Sequence, residues 1–432
     1  MEHTLTIPKV IAGGKGLGTL ADGMKVMVAG VLPGERVTVR ETRIHRGYKE
    51  ASLVRVEEPA PERILPPCPH YGLCGGCDLQ HGSYPTQLAI KRSILDEALR
   101  RSRLDLPPDH PGPALSSPQP FGYRHRLRLH LDQVGRLGFH QGGSNEVVPI
   151  RRCLLATEPI NRAIGALVDA GWPARLRELV SAVELIHSPA DDRVILVLQA
   201  TAALRPDSAA DLVTALNRLA DNTIVQAEPI GRSGDRARAA DLCQDFAVLG
   251  HAYRLCWDHR CFFQVNVRQN PRLIELALGL LPLSPPPRAA LDLFCGMGNF
   301  SIPLGLMGTQ VSGVEHNRTS VHWAEHNSRA AGLTTARFRS ADVGQALRSL
   351  VARKARFDCV LLDPPRQGLG KTAALLARLG PQHILSISCD PATLARDLAL
   401  IVQNGYRIVQ VTPVDMFPQT HHIETVALLE RN

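Results

Sequence analysis

Between residues 289 and 388 the chain repeats one pattern: a short apolar segment, then a stretch long enough for a helix. The segments are AALDLF, VSGVE, ARFRSAD, FDCVLLD and ILSIS. Strands of this kind alternating with helices predict an open, mostly parallel α/β sheet, and such sheets bind ligands beyond the C-terminal ends of their strands. YRIVQVTPVD and ETVALLE follow, and read as an antiparallel pair closing one side.

The ends of these segments carry polar groups. In ALDLFCGMGNF a strand runs into a glycine turn and then a helix, where Gly296 and Gly298 permit close approach of a ligand to the backbone. The N–H groups of the helix that follows suit a carboxylate or phosphate. The spacing is not GxGxxG, which argues against a standard dinucleotide site. Glu315 ends VSGVEHN, a place from which a carboxylate accepts both hydroxyls of a ribose. Asp342 follows the third segment and is suited to an adenine edge. Asp363 ends the fourth, in LLDPPR, where the prolines remove backbone donors. Each acidic residue alone reads equally well as a helix cap; together they predict one nucleotide-like pocket.

SISCDPATLARDL, residues 386 to 398, places Cys389 at the end of the fifth strand. Alone it is either a packed thiol or a presented nucleophile. The helix predicted from PATLARDL would favour the thiolate through its N-terminus.

Upstream, residues 5 to about 57 read as short strands broken by Gly-Gly and Pro-Gly turns, and predict a small β-barrel. Lys15, Lys25, Arg40, Arg43 and Arg46 are its candidate phosphate contacts, unless the barrel is a passive appendage. A helical stripe runs from Tyr84 to Leu104, and the Pro-rich stretch 106 to 120 reads as a linker or surface loop. YRHRLRLHLD alternates like a strand with Arg124, Arg126 and Arg128 on one face; with Tyr123 they form a candidate RNA grip or a bare sheet face. The region to about 255 predicts an α+β unit.

A chain of 432 residues implies two or three domains. Its 49 Lys and Arg against 41 Asp and Glu modestly favour a polyanionic partner. The sequence offers neither an unbroken apolar run of about 18 residues nor a signal-peptide pattern, so the expectation is a cytoplasmic protein without a membrane partner. Ten cysteines then call for a reduced explanation. Cys68, Cys74 and Cys77 fall as C-x5-C-x2-C and read as thiolate ligands for one metal site with a place left for another ligand, ahead of unligated thiols or a thiol–disulfide C-x-x-C turn.

DLFCGMGNFSIP, VEHN, DPPRQG, SCDPATLARDL and PQTHHIE, with FFQVN at 262 to 266, resemble in order and content the RNA uracil-C5 methyltransferase family. The early cysteines and the barrel resemble its 23S ribosomal RNA branch. The resemblance implies a TRAM-like barrel at 1–57, a central iron–sulfur and RNA-binding domain at 58–83 and 117–255, and a Rossmann-like catalytic domain at 84–116 and 256–432. It further implies S-adenosylmethionine held by Gln264, Phe294, Asn299, Glu315, Asp342 and Asp363. Cys153 becomes the last cluster ligand, with [4Fe–4S] preferred to zinc.

By the same resemblance Cys389 is the nucleophile and Glu424 the proton-abstracting base; chemistry alone leaves His421 and His422 as equal candidates for the base. The implied partner is 23S rRNA with a flipped uridine, and no obligate protein partner is evident. Gln264 would touch cofactor or uracil, and Phe262 and Phe263 lie either near the base or in the core. Two departures stand out. Asp390 replaces the family's common asparagine; it keeps a possible helix cap but sets a negative charge beside the thiol, weakening the nucleophile unless Asp390 points away. Asp342 stands where an asparagine also occurs in the family. The rival readings are a tRNA uracil-C5 methyltransferase and a noncatalytic iron–sulfur RNA scaffold.

Overall fold

The computed structural model describes residues 1–218, 223–228, 241–282 and 284–432. Its first unit is a six-stranded sheet built from Glu2–Thr6, Lys9–Val10, Lys15–Thr19, Lys25–Ala29, Arg36–His45 and Tyr48–Glu58. Alternation along these strands turns Val26, Val28, Val37 and Val39 into a common interior. The two edge strands are Glu2–Thr6 and Lys9–Val10, separated only by Ile7 and Pro8, so the sheet must curl back on itself. No ladder joins these two edges among the described residues, so the closed barrel expected from sequence is corrected to a curled sheet. Ile7 instead bridges the gap through its backbone, donating to the Glu35 carbonyl and accepting from Gly34.

The middle sheet runs, in spatial order, Thr223–Glu228, Arg193–Ala200, Val180–Ser188, Arg126–Leu131, Leu137–His140 and Val147–Pro149. Helix Glu158–Asp169 covers one face with Ile160, Ile164 and Leu167.

The catalytic sheet has seven strands, ordered in space Arg337–Ser340, Gln310–Glu315, Ala289–Leu293, Cys359–Leu362, His383–Ser388, Glu424–Arg431 and Tyr406–Val414. The first five are parallel, and Glu424–Arg431 is antiparallel to both of its neighbours. Cys359–Leu362 is buried at every position, as a strand covered on both faces must be. Helix Tyr84–Arg101 supplies Leu95 and Leu99 to one face beside Leu394 and Leu398; helix Gln269–Gly279 supplies Leu273 and Ile274 to the other.

Two expectations change here. The stretch read as a linker lies along the outer edge strand: Leu115 N–H donates to the Pro413 carbonyl, and Asp415 N–H to the Leu115 carbonyl. It covers backbone groups that an exposed edge would leave open. Cysteine reduction throughout is also corrected, because Cys243 and Cys256 are direct cross-strand partners in the hairpin Leu242–Val248/His251–Trp257 and are joined as a disulfide. Among the described residues no helix is long and apolar enough to cross a membrane.

Candidate active site

Parallel strands deliver their C-terminal ends to one edge of the sheet, and register decides which side chains meet there. Leu362 pairs with Ser386, and Ser388 pairs with Thr425. The residues that follow or precede those partners are Asp363, Cys389 and Glu424, so three adjacent strands bring them side by side. On the far side of Asp363 the strands end in Leu293 and Glu315.

The result is a buried concentration of carboxylates. Burial pushes Asp292 up to about 7, with the charges of Asp363 and Glu315 adding to the shift and a hydrogen bond from Ser301 opposing it. Burial and the Glu315 charge raise Asp363, and burial and Asp363 raise Glu424 well above the usual carboxylate range. Cys389 is pushed up to about 11, by burial first and then by Glu424 and Asp363, while Arg366 pulls the other way. A cation seated among these groups would offset both the repulsion and the shift on the thiol.

Asp390 accepts the Thr393 N–H at 2.8 Å and caps the helix Pro391–Val402. That carboxylate oxygen faces the helix N-terminus. Cys389 directly precedes this cap, and the Arg366 guanidinium and a backbone hydrogen bond both act to lower its value.

At the cofactor side, the glycine turn leaves Gly296 and Gly298 at φ +54° and +97°. A Cβ on Gly298 would meet Ile302 Cγ1 at 2.9 Å, so the turn is closed to larger residues. Phe294 takes φ 63°, a left-handed conformation uncommon outside glycine. Glu315 accepts from Gly296 N–H at 3.2 Å and from Asn317 N–H at 2.8 Å. Asn299 and Asn270 hold each other's amides reciprocally, at 2.8 and 3.1 Å. Asp342 caps the helix Val343–Ala352 by accepting from Gln345 N–H. Gln264 is buried between exposed Phe262 and the bridge from Asn266 to Arg124. Asp292 Oδ1 is buried with no hydrogen-bond partner among the described residues, while Oδ2 accepts from Ser301 at 2.5 Å. An orphaned acceptor beside an open glycine turn and acidic strand ends fits a ligand carrying ammonium, sulfonium and ribose groups.

Sequence reasoning missed Asp292, Asn270 and Arg366. Asp292 sits inside an apolar run, where it reads as an interruption; Arg366 was legible only as the cation directly after Asp-Pro-Pro.

Other candidates are redistributed. Tyr123 is 2% exposed and donates its hydroxyl to the Pro418 carbonyl, so it is no stacking platform. Arg126 is committed to Glu184 at 2.7 and 2.9 Å and to the carbonyls of Cys261 and His259. Arg128 remains exposed, and Phe263 is core while Phe262 is 66% exposed. On the curled sheet Lys15 and Arg40 pair with Glu50 and Glu2, Lys25 donates to Thr19, and Arg43 and Arg46 are exposed. His422 is lowered to about 4, by burial and then by the neighbouring His421 and Arg366, and is neutral near pH 7. His421 is engaged with Asp78.

Cys68, Cys74, Cys77 and Cys153 all line one cavity of about 40 Å³, and none of them is in a disulfide. Among the described residues, however, no group of three or more His, Cys, Asp or Glu side chains is arranged to hold a metal ion. What the structure shows of the expected four-cysteine site is four neighbouring thiols around one cavity. Burial raises Cys74, Cys153 and Cys77, the last to about 12.

The seven-stranded sheet with its glycine turn and acidic strand ends defines a Rossmann-like methyltransferase. The family profile described as tRNA (Uracil-5-)-methyltransferase matches residues 116–432, and the chain belongs to that uracil-5-methyltransferase family. It is 37% identical over 428 residues to the 23S rRNA (uracil(1939)-C(5))-methyltransferase RlmD of Alkalilimnicola ehrlichii, covering 95% of this chain and 92% of that protein. With the RlmD of Pseudomonas entomophila it shares 36% identity over 436 residues, 99% and 94% of the two chains. Among solved structures, the Pyrococcus abyssi tRNA (uracil-54, C5)-methyltransferase bound to S-adenosyl-L-homocysteine is similar with a TM-score of 0.74 at 25% identity, over 99% of each chain. The protein is thus an S-adenosylmethionine-dependent enzyme that methylates C5 of uracil in RNA.

Proposed function

We propose that the substrate is a uridine of 23S rRNA, methylated through a covalent adduct between Cys389 and uracil C6, with Glu424 as the base. The observation that carries this reading is the register that sets Cys389 and Glu424 at the same end of adjacent strands, beside Asp363.

Uracil C5 is a poor nucleophile. Addition of the Cys389 thiolate to C6 breaks the C5=C6 bond and moves its electron pair into an enolate, which makes C5 electron-rich. S-adenosylmethionine supplies, when bound, an electrophilic methyl group on a positively charged sulfur. Once C5 has accepted that methyl, Glu424 removes the C5 proton, the pair re-forms C5=C6 and the thiolate leaves. Burial raises Glu424, so its ionised form is the stronger base for this proton. Arg366 supports the thiolate, and Gln264, Phe294, Asn299, Glu315, Asp342 and Asp363 hold the cofactor. The target base must leave its stack, at a cost of a few kcal/mol. Of the candidates named from sequence, exposed Phe262, Arg128, Arg43 and Arg46 are free to receive the displaced strand.

The choice of 23S rRNA rests on the relatives, which match nearly the whole chain at 34–37% identity, including the curled sheet and the cysteine segment. That substrate implies a cytoplasmic enzyme. Incubation with methyl-labelled cofactor, followed by separate digestion of rRNA and tRNA, should yield labelled 5-methyluridine from 23S rRNA; label confined to tRNA would reject this choice.

The same reading seats a [4Fe–4S] cluster on Cys68, Cys74, Cys77 and Cys153. Free thiols around an apolar cavity lined by Leu127, Phe139 and Ile150 are the donor set such a cluster takes. Methyl transfer consumes no electrons, so its work is to hold the segment together. Anaerobically purified protein should contain about four irons and matching sulfide per chain; zinc without sulfide would exclude it.

A further inference from the structure

We propose that Gln419 is a positioning residue, through which the segment from Asp78 to Gln87 sets the approach of the Glu424 carboxylate. The proposal rests on the reading of Glu424 as base.

Residues 415 to 423 join the two antiparallel strands that end at Val414 and begin at Glu424. A connection that only turned such a pair would need 2–5 residues, as a rough norm. This one is longer, and its middle is fixed from outside. Gln419 holds φ 72°, a left-handed conformation that a residue with a side chain keeps only when its surroundings impose it. They do so completely. Its N–H donates to Gln87 Oε1 at 2.9 Å, and its carbonyl accepts from Asp78 N–H and Leu79 N–H, each at 3.1 Å. Its own Oε1 accepts from Gln87 Nε2 at 2.9 Å, and its Nε2 donates to the Pro120 carbonyl at 3.3 Å.

The flanking residues are held as firmly. Lys91 and Asp415 form an ion pair at 2.6 Å with both side chains fully buried, and Lys91 also donates to the Phe417 carbonyl. Tyr84 donates its hydroxyl to Asp415, Tyr123 to the Pro418 carbonyl, and His421 meets Asp78 at 2.5 Å.

Strand pairing fixes the Glu424 backbone on one side only; the loop fixes its approach from the other. Cys389 follows the neighbouring strand, which ends at Ser388, and has no part in these contacts. Loosening Gln419 therefore affects proton removal and leaves thiolate addition in place. The methylated adduct should then accumulate, an outcome that a general loss of structure does not produce.

The experiment uses Gln87→Ala and Gln419→Gly in the full-length protein; glycine accepts the left-handed φ, so the second variant keeps the turn if the first fails to fold. Product release should slow by about tenfold or more, as small misplacements of a catalytic group do. The KM for RNA should stay within about twofold, because the loop is asked to place a base and not to bind, and methylated covalent RNA–protein adduct should build up on denaturing gels. Adduct and product falling together, or both holding at the unsubstituted level, would overturn the proposal. Glu424→Gln run alongside separates the two possible failures. Free turnover by that variant removes the base assignment itself; a trapped adduct there, with none in Gln87→Ala, removes only the positioning role.

Discussion

Cys389→Ala is expected to give neither methylated RNA nor an RNA adduct that survives denaturation, with turnover reduced by at least about 10⁴-fold. The magnitude follows from the chemistry. Without a bond at C6 there is no enolate, and C5 remains the electron-poor end of a conjugated ring. No nearby group replaces the thiol: Cys295 is buried in the glycine turn and Cys359 in the sheet, and Asp363 and Glu424 are weaker nucleophiles toward C6. Binding should survive, because Cys389 forms no part of the glycine turn or of the Glu315 hydrogen bonds. Equilibrium binding of S-adenosylhomocysteine and labelled-methyl transfer, measured on the same preparation, check both halves. Full product yield from highly purified Cys389→Ala would remove covalent catalysis from the account.

Glu424→Gln should show the opposite signature. The thiol still adds and C5 still accepts a methyl group, but the C5 proton has no base to take it. Release slows by about 10²–10⁴-fold, the usual contribution of a positioned base, and the methylated adduct becomes the dominant RNA species. Glutamine matches the shape of glutamate and removes its charge. Burial and Asp363 hold Glu424 above the ordinary carboxylate range, which disfavours its charged form, so a neutral glutamine suits the same buried place. Glu424→Gln should therefore melt no lower than the unsubstituted protein. Mass spectrometry of the nuclease-trimmed adduct would show uridine plus methyl on the Cys389 peptide. An adduct lacking the methyl group would place Glu424 before methyl transfer, contrary to its assignment.

The catalytic sheet was legible because buried parallel strands advertise themselves locally: Cys359–Leu362 is apolar throughout, and Gly296 and Gly298 punctuate the first turn. The meeting of Cys389 with Glu424 was not visible in the same way. It depends on the pairing of Ser388 with Thr425, a register between segments far apart in the chain that no local pattern encodes.

The middle region shows the opposite failure. Alternation put Arg126 and Arg128 on one side of a strand, while Arg124 lies before that strand and lines the cysteine cavity; period alone cannot say what covers a side. Residues 259 to 261 and Glu184 cover Arg126, leaving Arg128 exposed. Tyr123 and Gln419 were unreadable for a related reason, since each is defined by partners hundreds of positions away. The cysteine spacing located neighbouring thiols, yet spacing carries no information on whether they close around one ion.

The buried contact of Lys91 with Asp415 spans 324 positions in sequence, and helix Tyr84–Arg101 has its Leu95 and Leu99 in the same core as Leu398 and Leu429. During translation at roughly 5–20 residues per second, the helix leaves the ribosome on the order of 15–60 seconds before its partners exist. Until then a lysine and an apolar stripe destined for the interior stand in water, where they are open to chaperones or to wrong neighbours. Biogenesis of this enzyme is consequently a waiting problem, settled only when the final hairpin emerges and the early helix can dock.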